Sequence, residues 1–238
     1  MPFFRNYPNV PYKFGNESFT VDAPDLVRYS EILDTVKNNG AFYQKVRIKY
    51  GMRPDNLSFD LYKNANYHWT FFYLNDDLRE RGWPLEEFQL TQKIADAFSN
   101  TVVITQDEMF SEFLEGSIVT GGTSEETGTI LRKNVDLGQL YIEGSHEFIN
   151  GELLTVTENG VDYTVTVKSS STEKDAVIYY TDGTDIVDVD PFSDVGGGVT
   201  AVTYEQYYRE KNEELRDIIV LKPEVMTRFI SEFKDAMR

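Results

Sequence analysis

The sequence predicts an α+β fold in which an inserted small antiparallel all-β barrel or sandwich interrupts a core of helices and strands. Three observations point there. From about residue 104 to 181 the chain reads as short β segments with turn residues between them, whereas both flanks carry helical period. Residues 43–75 read as a strand, a tight turn at Gly51 and two short helices, a βαα unit with no second strand to pair with its first. Ile218–Leu221, a short apolar run far downstream, is the candidate for that strand. The expected division is an extended aromatic arm over 1–20, a core over 21–103, an inserted acidic all-β domain over 104–200, and a helix-strand-helix over 201–238 that completes the core.

In chain order, Pro2, Pro8 and Pro11 interrupt any helix in the arm, and Phe3, Phe4, Tyr7, Tyr12 and Phe14 make it aromatic, which suits a groove better than solvent. Residues 24–38 form an amphipathic pattern with Leu26, Tyr29, Leu33 and Val36 on one stripe, between Pro24 and Gly40. Tyr43–Tyr50 is rich in β-branched and aromatic residues. Pro54 suits the first turn of the next helix, because its fixed φ is helical and its missing N–H is not needed there. A further helix is expected over 84–98, with Leu90, Ile94 and Phe98 recurring every fourth residue.

The β segments expected next are Ser117–Thr120, Thr129–Arg132, Gln139–Ile142, Leu153–Thr157, Val161–Lys168 and Val177–Tyr180. Asn159-Gly160 is the preferred two-residue type I′ hairpin turn, since both central positions need positive φ. Gly196–Gly198 reads as a hinge, Tyr204–Arg216 as a helix, and Pro223 as the opening of a last helix striped by Val225, Met226, Phe229, Ile230 and Phe233.

Acidity is concentrated in the β block. Residues 105–190 hold 4 Lys+Arg against 18 Asp+Glu, in a chain of net charge −17. Direct binding to a nucleic-acid backbone needs clustered Lys and Arg and is not expected. The block is either a solvated acidic surface or a face that steers onto a basic partner. There are no cysteines, hence no disulfides and no thiolate metal sites. No secretory h-region and no run of roughly 18 apolar residues is present, so neither export by a cleaved signal nor a membrane span is expected.

No catalytic constellation emerges. His68, in Tyr67-His68-Trp69, reads as packed or capping; His146 has no evident partners; HExxH, Walker A and GxSxG are absent. Asp182, Asp185, Asp188, Asp190 and Asp194 lack EF-hand spacing and read as an acidic loop. Gly121-Gly122 and Gly196–Gly198 lack the strand–helix setting of a phosphate loop. No metal, cofactor or catalytic residue is expected. The aromatic excess is the stronger signal: on one ideal helix Tyr67, Phe71 and Leu74 share a face, and Trp69, Phe72 and Tyr73 lie opposite. Such a helix is buried on both sides or meets a partner.

Tyr43–Asn75 resembles a LysM domain, a βααβ fold that commonly binds N-acetylglucosamine polymers such as peptidoglycan. Sugar-binding modules usually carry Gly-Asp-Thr/Ser-Leu in the turn, where this chain has Gly51-Met52-Arg53-Pro54-Asp55. Arg53-Pro54, Leu57, Leu61-Tyr62, His68-Trp69 and Asn75 resemble instead the LysM-like core of the baseplate wedge protein 53 family of T-even-type contractile-tailed bacteriophages. Phe4-Arg5-Asn6-Tyr7, Gly82-Trp83, and Tyr204–Met237 with Asn212-Glu213, Leu215-Arg216 and Ile218–Pro223 extend the likeness over roughly 1–95 and 204–238. Gly138-Gln139-Leu140 and Phe148 to Gly151-Glu152 resemble small β modules of phage structural proteins.

The resemblance implies a LysM-like βααβ core and a non-enzymatic virion subunit, assembled in the host cytoplasm. It implies contacts with other wedge proteins, neighbouring wedges and tail hub or tube proteins in a six-fold baseplate, without nucleic acid or membrane. Phe3, Phe4, Arg5, Tyr7, Arg53, Trp69, Phe72, Tyr73 and Trp83 are the candidate protein-interface residues. The alternative is a peptidoglycan-binding LysM module, possibly attached to a cell-wall hydrolase.

Overall fold

A computed structural model of the chain describes residues 9–13, 15–16, 19–24, 40–193 and 196–236. The expected helix over 24–38 lies almost wholly outside them, and Phe3, Phe4, Arg5 and Tyr7 lie outside them altogether. The chain forms two units, Met1–Glu86 with Asn212–Arg238, and Glu87–Lys211. The class is mixed α+β.

In the first unit, β1 (Asn9–Tyr12) pairs antiparallel with β2 (Val21–Pro24), so part of the expected extended arm is one strand of a small ribbon. Strand β3 (Tyr43–Arg47) stops three residues before the expected end, although Ile48 N–H still reaches the Arg216 carbonyl at 2.8 Å. Gly51, at φ +71°, makes the turn, a conformation that costs a residue with a Cβ. Helix α1 (Pro54–Tyr62) carries Pro in its first turn and ends on left-handed Lys63, whose N–H caps the Phe59 carbonyl at 2.8 Å.

The second expected helix is a 3-10 turn (Ala65–Tyr67) followed by α2 (Trp69–Leu74), with the Asn64 side chain accepting the Asn66 N–H at 3.0 Å. Beyond Asn75 comes a helix not expected from the sequence, α3 (Asp76–Arg81), which Gly82 ends at φ +89°. Far along the chain, the strand Asp217–Leu221 pairs antiparallel with β3, Tyr43 opposite Leu221 and Arg47 opposite Asp217. The βαα unit therefore receives its second strand from beyond the β block.

The second unit begins at residue 87, well before the expected boundary at 104. Helix α4 (Glu87–Ala97) belongs to it, and Phe98 stacks on Tyr204 and Tyr208 at ring-centroid distances of 4.8 and 5.0 Å. Six antiparallel strands then close a barrel: β4 (Thr101–Thr105), β5 (Ile118–Gly121), β6 (Thr127–Asn134), β7 (Gln139–Ile142), β8 (Leu153–Glu158) and β9 (Val161–Thr172). Their order is β4-β7-β6-β5-β8-β9. The long β9 gives one half to β8 and the other to β4, and this shared strand makes closure possible.

Strand β4 escapes a reading by alternation because Val102 and Val103 are both fully buried. Val103 points into a core with Phe113, Val119, Leu140, Ile142, Leu154 and Val167, while Val102 packs outside with Tyr141, Ala176 and Tyr204. Asn159 and Gly160, at φ 54° and 78°, make the expected type I′ turn. Beyond the barrel, β10 (Val177–Thr181) sits between β11 (Ile186–Val187) and β12 (Thr200–Thr203), and α5 (Tyr204–Glu214) leads back to the first unit. There β13 (Asp217–Leu221) and α6 (Pro223–Ala236) complete the chain.

Candidate functional site

The residues singled out from the sequence mostly hold the first unit together. Asn75, between α2 and α3, donates from Nδ2 to the carbonyls of Phe71 and Ile219, both at 2.8 Å, and accepts the Ile219 N–H on Oδ1 at 2.9 Å. One side chain thus ends a helix and satisfies the outer edge of β13. Tyr62 OH donates to the Leu221 carbonyl at 2.9 Å, and burial raises its pKa. Trp83 Nε1 donates to the Met52 carbonyl at 2.7 Å, and Gly51 N–H donates to Glu86 at 2.6 Å, which fixes the turn.

Asn212 brackets the Leu85 backbone, accepting its N–H at 2.7 Å and donating to its carbonyl at 3.0 Å. Arg216 is 2% exposed. Its guanidinium bonds Glu213 and the Leu85 carbonyl and lies 3.9 Å from the Tyr50 ring centroid, a cation–π contact that satisfies a buried charge.

The interface candidates divide. Tyr73 is 1% exposed and belongs to the core, against the expectation that it faces a partner. The reason is α6: Phe229 and Phe233 lie over Tyr73 and Trp69, with Trp69 to Phe233 at 4.7 Å between centroids. On the other side Phe71 packs with Leu57, Leu78, Leu215 and Val220. Helix α2 is therefore buried on both sides by its own chain. Phe72 and Trp83 are half-buried and stack on each other at 5.9 Å. Arg53 is exposed and pairs with Asp55 at 3.1 Å. His68 donates from Nδ1 to the Ala65 carbonyl at 2.9 Å, a local cap.

An open groove of about 490 Å3 lies beside the turn, lined by Lys49, Tyr50, Met52, Asn56, Phe59 and Asp60 among others. Tyr50 is 70% and Phe59 55% exposed, so two aromatic faces flank polar groups. Neither was among the candidates, yet a signal existed. Phe59 sits two residues from both Leu57 and Leu61, which puts it on the helix face opposite the core.

In the barrel unit the polar clusters serve loops and packing. Glu152 is 4% exposed and accepts the N–H groups of Thr123, Ser124 and Ile149 at 2.6–2.9 Å, besides the Ser124 hydroxyl. Burial alone would raise its carboxyl pKa, but these donors outweigh it and hold it below the ordinary value. His146 bonds Glu126 at 3.0 Å and the Glu143 carbonyl at 2.7 Å, which pins a loop.

Arg132 stacks over Tyr141 at 3.5 Å and bonds Glu173 and Tyr204. Asp182 accepts the N–H groups of Thr184 and Asp185, and Asp190 those of Phe192 and the Ser193 hydroxyl, so both shape turns. Among the described residues no group of three His, Asp or Glu gathers as a metal-ligand set, and no helix is long and apolar enough to cross a membrane. No protein-family model and no curated protein matches the chain.

Proposed function

We propose that this chain is a structural subunit of a contractile phage tail baseplate wedge, joining neighbouring wedge subunits around the central hub without catalysis. One observation carries the reading. Five of the residues that carry the resemblance, Tyr62, Asn75, Trp83, Asn212 and Arg216, have side chains that tie helices, turn and strands together. A likeness in residues that specify a framework argues for a shared framework, here a LysM-like βααβ core, more than scattered surface identities would. In this reading the acidic barrel is an insertion on the outer side of the assembly, and the partners are wedge and hub proteins of the virion. Electron microscopy of tail particles tests it: this chain is expected at ring positions of the baseplate, and its absence from purified tails refutes the proposal.

The groove between Tyr50 and Phe59 favours a second reading, in which the same core holds a glycan. Concave sites with apolar walls and a few fixed polar groups are the usual form of a small-ligand site. Pull-down on purified peptidoglycan separates the two. Binding that disappears in Tyr50→Ala and Phe59→Ala supports the glycan module; no binding by the intact chain leaves the structural subunit.

A further inference from the structure

The β3–β13 sheet has two edges, and among the described residues hydrogen bonds reach the outward main chain of only one. On β13 the outward N–H and C=O of Ile219 are both taken by Asn75. Ile219 is directly opposite Lys45, so the main-chain groups of Lys45 point away from β13, as alternation in an antiparallel pair requires. Two bonds fix the same parity independently: Ile48 N–H to the Arg216 carbonyl at 2.8 Å, and Lys222 N–H to the Phe42 carbonyl at 2.9 Å. Residues 42, 44, 46 and 48 face β13; Tyr43, Lys45 and Arg47 face outward. Among the described residues no hydrogen bond reaches the main chain of these three on that side.

We propose that this edge is a docking site for an extended segment of another protein, which adds to β3 as a third strand by main-chain pairing with Tyr43, Lys45 and Arg47. The side chains choose the partner. Arg47 is already held by Asp217 and Glu213, whereas Lys45 is exposed and has no ion-pair partner among the described residues. A second copy pairing antiparallel about Lys45 would set lysine against lysine, which opposes self-association. The occupant is a strand with Asp or Glu across from Lys45. The inference stands on main-chain geometry and does not rest on the baseplate reading.

The test uses the full chain and a displayed library of random linear nonapeptides. Selected peptides are expected to carry an acidic residue near their centre and to slow amide exchange at Tyr43, Lys45 and Arg47. Lys45→Pro leaves the β3–β13 ladder intact, because that N–H is not used within the sheet. It is expected to weaken the selected peptides at least tenfold with an unchanged circular dichroism spectrum. Lys45→Glu keeps the N–H and is expected to reverse selection toward basic centres, which keeps the proposal testable if the proline variant does not fold. Failure to select any peptide, equal binding by both variants, or protection of amides elsewhere overturns it. A wild-type dimer that Lys45→Pro converts to monomer also overturns it, by making the occupant a second copy.

Discussion

The two units treat the edges of their β-sheets in opposite ways. In the barrel every strand has two neighbours, and main-chain bonds close the sheet on itself. In the β3–β13 sheet two strands leave two edges; Asn75 and Tyr62 take main-chain groups on the β13 edge, and among the described residues no hydrogen bond reaches the outward main chain of β3. A closed ladder spreads its stabilisation over many equivalent bonds and over an interior that includes Phe113, Leu154 and Val167. The first unit relies on a few side chains that each do a separate task, so single polar substitutions matter more there.

The largest expected effects test whether the units stand independently. Phe71→Ala and Phe113→Ala each empty a site of a 0% exposed ring, at about 3–5 kcal/mol apiece. Both tryptophans, Trp69 and Trp83, lie in the first unit, so fluorescence follows that unit alone. Phe71→Ala is expected to lower the fluorescence melting midpoint. Phe113→Ala is expected to lower only the far-ultraviolet transition of the barrel; a matching fluorescence shift would mean that the units unfold together.

Asn75→Ala comes next. It removes three hydrogen bonds and opens the second edge, at about 2–3 kcal/mol. Light scattering is expected to show association beyond that of the wild type, and no such change would break the contrast between the two edges. Glu152→Gln is the barrel's counterpart, at about 1.5–2 kcal/mol for weakened bonds to a charged acceptor.

Because the folded Glu152 pKa lies below its ordinary 4.5, its stabilisation is complete above that pH and is lost as pH falls through the lowered value. A barrel melting midpoint measured between pH 6 and pH 3 should fall less steeply in Glu152→Gln. The smallest effect is Gly160→Ala, about 1 kcal/mol for a Cβ at φ 78°, confined to the barrel transition.

Much of this was legible in residues 43–75 and 118–181. Gln139–Ile142 matches its expected bounds, and the Asn159-Gly160 turn follows from two residues that tolerate positive φ. Two other features were not legible. Strand β4 lacks alternation because both of its faces are covered, and the 3-10 turn that opens the second helix depends on Asn64 capping a backbone group that a period count ignores. Among the sites, Asn75, Trp83, Asn212 and Arg216 were visible as motif residues. Their work as clamps was not, because their acceptors lie in chain segments as distant as Leu85 from Asn212.

The sequence by itself determined the local period: where helices and strands alternate, where the acidic block sits, and which glycines and prolines turn the chain. Only the tertiary structure decided what covers the aromatic helix. Tyr73 and Trp69 lie under Phe229 and Phe233, about 160 residues away, and a helical stripe records that a face must be buried without recording by what. It also decided which main-chain groups of β3 face away from β13, since that depends on the hydrogen-bond parity of β3 against a strand from the far end of the chain.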